Sequence, residues 1–524
     1  MVLILTALVY ANSLGNLFVW DDSWSIVDNG FIKSWKNLPL LFNRAYLTSF
    51  QDFGFLGERD IGSGEISYRP VATLSYFIDY SLWGLNPFGY HLTNLLLHLF
   101  NLVLLYFFAA LLTKEKKTPL LAALLFGLHP LNSEAVAVIS FREDLLAFLF
   151  FIASLICYMK LDAFRGIKKG TIYIASLIFF LLALFSKEMA LVLPLILVLY
   201  DFYFGMGKYK ALSQPLKLHK ESSESRQRRD EVSCQARNKP KIYYIGYALV
   251  CLLYLWVWAV LMRNPGKVMV YLGGNFFTNL FTMIGIIARY IQWVILPLGI
   301  HAVVPDNASL AVTGFTPMVF LSIVLIILLL AFAVKKFKTS KILSFSIFWF
   351  FITLLPVSNI VPVLSTIMAS RFLYIPLAGF CLSAAVLLLR QKIPSKTTIA
   401  LIILIIIFYS GLAMQRIRVY KTNTSLWSEM LKYYPQSALA HADMGVVFER
   451  NGLLGQAISE YQTAIEIDPG CAKAYFGLGN CYYMQDKLQE SLGAYKKGLK
   501  LLKSKANQDR AYKKLEALFR GRGL

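Results

Sequence analysis

Apolar runs close to the length of a membrane-crossing helix alternate with short polar breaks through most of this chain. They fall near 1–18, 88–112, 118–134, 144–161, 171–186, 188–205, 242–262, 276–299, 315–334, 342–361, 371–390 and 397–415. A helix needs about twenty residues to cross a bilayer, so the pattern predicts an all-α, polytopic domain over residues 1–415. The run at 1–18 is short. It either crosses only just or begins upstream of Met1, and it lacks the basic flank and cleavage site of a signal peptide.

Past residue 415 the pattern changes to amphipathic helices of even spacing. Pro435 and Pro469 stand 34 residues apart, each closing a helical stretch. Met444-Gly445, Phe448, Gly452, Ala457, Tyr461 and Ala464 are matched in the next unit by Leu478-Gly479, Tyr482, Asp486, Ser491, Tyr495 and Gly498. Small residues let paired helices approach and aromatics fill the gaps, which is the tetratricopeptide pattern. A helix at 424–434 reads as the second half of an earlier unit, and the tail from 504 as a capping helix. Residues 416–524 are therefore a second, α-solenoid domain.

Composition agrees: of 524 residues 57% are hydrophobic and 16% charged, with mean hydropathy +0.56, outside the range of soluble domains. The net charge of +22 would suit nucleic acid, but the basic residues crowd into short loops between apolar runs, as the positive-inside rule directs. Five clusters mark the cytoplasmic side: Lys114 to Lys117, Lys160 to Lys169, the loop 206–241, Lys335 to Lys338, and Arg390 to Lys396. All five fit on one side if the run at 276–299, with Arg289 and Gln292 inside it and Pro297 at its end, lies on the outer surface or re-enters. About eleven spans then cross. The loop 15–87 and the repeats face the non-cytoplasmic side, together with 135–143, 186–189, 263–314 and 362–371. The six cysteines show no metal-ligand spacing and imply no disulfide framework, although an oxidising compartment would allow Cys471 and Cys481 to pair.

Most of the unusual polar residues fall on that outer side. Asp21 and Asp22, after Trp20, are either a helix cap or an acid pair placed for chemistry. Tyr68-Arg69-Pro70 places a cation there that pairs with Asp60 or Glu65, or holds an anion. His91, Asn94, His98 and Asn101 recur at helical spacing, a stripe suited to locking helix packing. His129-Pro130-Leu131-Asn132-Ser133-Glu134 and Phe141-Arg142-Glu143-Asp144 crowd a histidine, carboxylates and an arginine into one membrane edge. Arg142 pairs with a neighbouring acid or neutralises a phosphate. Ser186-Lys187-Glu188 forms a tight outer hairpin, and Ser370-Arg371-Phe372-Leu373-Tyr374 opens the eleventh span with a fork-shaped cation suited to phosphate or to headgroups.

These segments, in this order and with the trailing repeats, resemble the transmembrane O-mannosyltransferases that act on cadherins. The resemblance covers nearly the whole chain. It implies the GT-C fold of polytopic glycosyltransferases. The implied reaction is inverting transfer of mannose or a similar hexose from a polyprenyl-phosphate donor to a protein or glycan hydroxyl on the non-cytoplasmic face. Carried over by position, it makes Asp21 or Asp22 the general base or acceptor-orienting acid. Arg69, Arg142, Lys187 and Arg371 become cations for the donor phosphate, and His129, Glu134, Glu188, Tyr374 and His91 shape the site. A divalent cation bridging acids and phosphate is compatible with this set, but no ligand spacing demands one. Two clear repeats, where animal members carry long arrays, leave the acceptor open, and the loop 206–241 has no obvious counterpart. The expectation is a prokaryotic relative in a bacterial or archaeal plasma membrane, or the ER membrane in a eukaryote, without nucleic-acid partners. The competing readings are a lipid-linked glycan polymerase or ligase, a non-catalytic membrane scaffold displaying repeats to a partner, and a transporter.

Overall fold

The computed structural model describes residues 1–42, 68–205, 239–261, 271–301, 311–361, 366–389, 396–502 and 505–520. The chain is all-α, and among the described residues there is no strand. Much of the loop 15–87 and nearly all of 206–241, with Asp60, Glu65 and Cys234, lie outside the described residues.

After the short first helix, α1 (Val2–Tyr10), helix starts follow local chemistry. Proline opens α2 (Pro70–Trp83), α3 (Pro87–Thr113) and, further on, the helix Pro317–Lys336, where its missing N–H costs nothing. Asn86 caps α3 by accepting from the Phe88 N–H at 3.1 Å. The next element is broken. α4 (Lys117–Leu128) and α5 (Ser133–Ala137) meet at a 51° bend around His129-Pro130, because the residue before a proline is driven out of the helical region. α6 (Arg142–Lys160) follows and packs against α3 and α7 (Gly166–Ser186). The stretch from Leu121 to Phe148 is almost wholly buried, so the bent pair and the start of α6 form the centre of the bundle.

By length and apolarity seven helices of the described residues are able to cross a membrane, or eight if the bent pair is one span. The runs at 1–18 and 342–361 form the shorter apolar helices Val2–Gly15 and Lys341–Val357, and Arg142–Lys160 and Phe276–Ile295 are not among the seven. Eleven crossings would need three of those four. Pro317–Lys336 and Lys396–Val419 are only 17% and 11% buried within the protein. Their leucines, isoleucines and phenylalanines face outward, which is the surface a helix presents to lipid. The protein is an integral, multi-pass membrane protein.

The last apolar helix runs to Val419 and hands over to the helix Asn423–Tyr433, closed at its start by a Thr422–Ser425 capping box. Two antiparallel pairs follow, Ala438–Arg450 with Leu454–Ile467 and Ala472–Met484 with Leu488–Leu501, and Lys505–Arg520 ends the stack. The expected small-against-large packing is present. A β-carbon on Gly445 or Gly477 would strike the Tyr461 ring, and one on Gly479 the Tyr495 ring. Cys471 and Cys481 are free thiols.

Candidate active site

The acid pair sits in a tight turn. The Asp22 N–H donates to the Val19 carbonyl at 3.0 Å, which leaves Trp20 and Asp21 as the two central residues. Asp22 is fully buried. Its Oδ2 accepts from the Val19 N–H at 3.0 Å, and its Oδ1 from the Ser140 N–H at 2.7 Å. One carboxylate therefore closes the turn and ties it to the segment that starts α6. Burial pushes the Asp22 carboxyl up to about 6; the two backbone donors oppose this and the Asp21 charge adds to it. The two aspartates are thus unlike: Asp22 is enclosed and clamps the turn, and Asp21 is half-buried.

Beside the turn, Glu134 organises the start of the helix Tyr374–Leu388. It accepts from Ser370 Oγ at 2.5 Å, from the Arg371 N–H at 3.0 Å and from the Arg371 guanidinium at 2.5 Å. The guanidinium lies 3.9 Å from the Phe141 ring centroid, 5.2 Å from Phe372 and 5.9 Å from Trp20. Trp20 thereby links the acid turn to the Arg371 cation.

A second network lies behind Phe372, whose ring is 5.6 Å from Lys187 Nζ. Lys187 pairs with Asp144 at 2.7 Å and with Glu143 at 3.1 Å. Arg69 bridges Glu143 to Glu188, the latter at 2.9 Å. Lys187 and Glu188 therefore reach outward from their hairpin to α6 and to Arg69. Arg69 pairs with two acids, Glu143 and Glu188, that local sequence had not nominated for it. Among the described residues no group of three or more histidines, cysteines or acids is arranged to hold a metal ion.

Other expected site residues lie in the bundle core. Arg142 is fully buried; it pairs with Asp79 at 2.5 Å and donates to Asn94 Oδ1, Ser75 Oγ and the Tyr90 carbonyl. With those donors engaged it joins α2, α3 and α6, and its partner is neither Glu143 nor Asp144. Sequence reading missed Asp79, whose one signal is a lone carboxylate inside an apolar helix. His129 bonds the Val294 carbonyl at 3.1 Å and stacks edge-on with Tyr409 at 4.5 Å. The Tyr374 hydroxyl meets His98 Nδ1 at 2.7 Å and accepts from Asn101 at 3.2 Å. His91 is buried near the Asn16–Leu17 backbone. Asn94, His98 and Asn101 do lock helix packing, as their spacing suggested: Asn94 and Asn101 donate to backbone carbonyls of Val136 and Leu145.

The repeat domain closes one side of the acid turn. The Leu17 N–H donates to the Lys421 carbonyl at 3.0 Å, the Trp20 N–H to Asn423 Oδ1 at 2.8 Å, and Arg450 to Ser23 Oγ at 3.1 Å. Trp20 and Trp427 meet edge to face at 6.2 Å. The arrangement brings together the acid turn, a caged arginine, a network of paired charges and a docked solenoid.

Comparison with known proteins agrees with the tetratricopeptide character of the C-terminal region. Family profiles described as TPR repeat and Tetratricopeptide repeat match residues 454–486 and 472–504. A protein O-mannosyl-transferase of Caenorhabditis elegans is 27% identical over 480 residues, covering 89% of this chain and 62% of its own length. The human protein O-mannosyl-transferase TMTC1 is 25% identical, covering 90% of this chain and 55% of its own length. The chain thus spans little more than half the length of these relatives, and it is their homologue. Among solved structures, ArnT from Cupriavidus metallidurans bound to undecaprenyl phosphate aligns over 94% of this chain and 77% of its own, with 13% identity and a TM-score of 0.39.

Proposed function

We propose that this homologue of the protein O-mannosyl-transferases is a membrane glycosyltransferase. It takes a hexose, mannose in the first instance, from a polyprenyl-phosphate donor and gives it to a hydroxyl of a protein or glycan on the non-cytoplasmic face. The observation that carries this reading is the sequence relationship along nine-tenths of the chain. The acid turn and the caged arginine support it.

In the proposed reaction the acceptor oxygen attacks C1 of the sugar from the face opposite the phosphate, so the anomeric configuration inverts. The C1–O bond to the phosphate breaks, and the lipid phosphate leaves with both bonding electrons. Asp21 takes the hydroxyl proton as the new bond forms. Arg371, one arm of whose guanidinium holds Glu134, turns its remaining N–H groups to the departing phosphate, and the aromatic rings around it lower the local dielectric. Arg69 and Lys187 already answer carboxylates. They act chiefly by setting the charge behind Arg371. Asp22 holds the turn.

The test is direct. Purified protein in lipid nanodiscs is given polyprenyl-phosphate mannose labelled in the sugar, with serine- and threonine-rich peptides as acceptors. Labelled peptide and released lipid phosphate should appear together, and Asp21→Asn should abolish both. A wild-type protein that releases no lipid phosphate with any hexose donor tried would remove the proposal.

A further inference from the structure

The Val19–Asp22 turn is strained at its first central position. Trp20 has φ of 54°, a left-handed conformation that a bulky residue with a β-carbon disfavours. Such a conformation persists only where the surroundings hold it. Two of the holding contacts come from within the membrane domain: the Asp22 carboxylate closing the turn, and the Phe141 ring 5.3 Å from Trp20. Two others come from the far end of the chain. Asn423 Oδ1 accepts the Trp20 N–H across 403 residues of sequence, and Trp427 packs against the indole.

The strained residue immediately precedes Asp21. Its φ sets the direction in which the chain leaves the turn, and so the direction in which Asp21 is offered. A relaxed Trp20 would rotate the Trp20–Asp21 peptide and re-aim the acid.

We propose that Asn423, at the first turn of the helix that begins the repeat domain, is a positioning residue for Asp21. It holds Trp20 in its left-handed conformation and makes the solenoid part of the catalytic entrance. The inference rests on the reading of the first loop as catalytic. The neighbouring bonds of Leu17 to Lys421 and of Arg450 to Ser23 dock the same surfaces and keep the two domains in register without touching the turn's dihedral angles.

Three variants and two readouts test it. Asn423→Ala and Asn423→Leu lose the acceptor oxygen. Asn423→Asp keeps it and places a negative charge at a helix N-terminus, where it is favoured. The first readout is hydrogen–deuterium exchange of the segment 17–23, which needs no activity; the second is steady-state transfer over a range of donor concentrations. Asn423→Ala and Asn423→Leu should exchange faster through this segment and lose on the order of a hundredfold in kcat with donor KM unchanged, the cost of a misplaced group. Asn423→Asp should resemble wild type in both. The inference falls if wild type transfers sugar and the acceptor-less variants keep its kcat, or if Asn423→Asp is as impaired as they are. Should the alanine and leucine proteins not accumulate, the aspartate protein decides alone: wild-type exchange and kcat uphold the proposal, and fast exchange or lost turnover overturns it. Where even wild type transfers nothing, the glycosyltransferase reading fails and the exchange arm still decides whether Asn423 holds the turn.

Discussion

Arg142 on α6 and Asp79 on α2 form an ion pair of 2.5 Å in which both side chains are closed off from solvent. Thr93 donates to the second Asp79 oxygen at 2.8 Å, and Asn94, Ser75 and the Tyr90 carbonyl accept from three further guanidinium N–H groups. A charge pair so enclosed is costly to break one-sidedly, because the partner is stranded without water. Arg142→Ala should destabilise the protein by about 3–5 kcal/mol, read as lost abundance and a lower Tm in detergent. Leucine at both positions should cost clearly less than the two single changes summed. Additive losses would mean the pair is not a unit.

The two aspartates of the first loop should respond differently to the same change. Asp21→Asn should leave yield and Tm close to wild type and abolish sugar transfer. In Asp22→Asn an amide N–H₂ must face the Val19 or Ser140 N–H, so one of two buried bonds becomes a clash between donors. A loss of about 1–3 kcal/mol in stability is expected, with activity reduced in proportion to folded protein. The pattern reversed would transfer the base assignment to Asp22.

Asp22 also sets a pH dependence whose sign is fixed by its burial. Its carboxyl is raised from 3.8 to about 6 in the folded protein. Between those values the native state binds a proton that the unfolded chain does not, so folding is favoured as the pH falls. This contribution is complete below about pH 4 and is lost as pH rises through about 6. Wild type compared with Asp22→Asn in thermal melts at pH 7.5 and pH 5 should show the wild-type advantage growing toward the acid side. A growth of about 1–2 kcal/mol is expected.

The caged arginine predicts a separation of binding from folding. Arg371→Lys keeps the charge but gives up the fork and the flat stack on Phe141. Donor KM should rise about tenfold or more, the worth of one charged hydrogen bond. Arg142→Lys should lower abundance and leave the donor KM of the surviving protein unchanged. Equal KM shifts in both would return Arg142 to the phosphate site.

The parts of this architecture that sequence reveals are those encoded within one helix. Gly445, Tyr461 and Gly479 announce the solenoid because small and aromatic residues alternate at helical spacing, and the stripe Asn94, His98 and Asn101 announces a packed polar face. Pairings between distant helices are another matter. Arg69 meets Glu188 across 119 residues, and periodicity states which face a residue occupies without stating which helix arrives there. Local reading therefore offered Asp60 or Glu65 to Arg69 and Glu143 or Asp144 to Arg142. The same limit hid Asp79, and it hid the dependence of Trp20 on Asn423.

The repeat domain supplies a paired test of packing. Gly445 lies under the Tyr461 ring, which is fully buried and fixed by a 2.6 Å bond from its hydroxyl to Glu449. An added β-carbon would come within 2.6 Å of that ring. Alanine at 445 gains about 1 kcal/mol in helix propensity, but it must push aside a ring anchored at its far end. A net loss of about 1–2 kcal/mol is expected from overpacking. Gly493 stands in the interior of the helix Leu488–Leu501, exposed, with nothing within 4 Å of its β-position. Gly493→Ala should stabilise by up to about 1 kcal/mol. The urea sensitivity of backbone exchange in 438–501 should therefore move in opposite directions for the two alanines, and movement in the same direction would contradict the packing described for the solenoid.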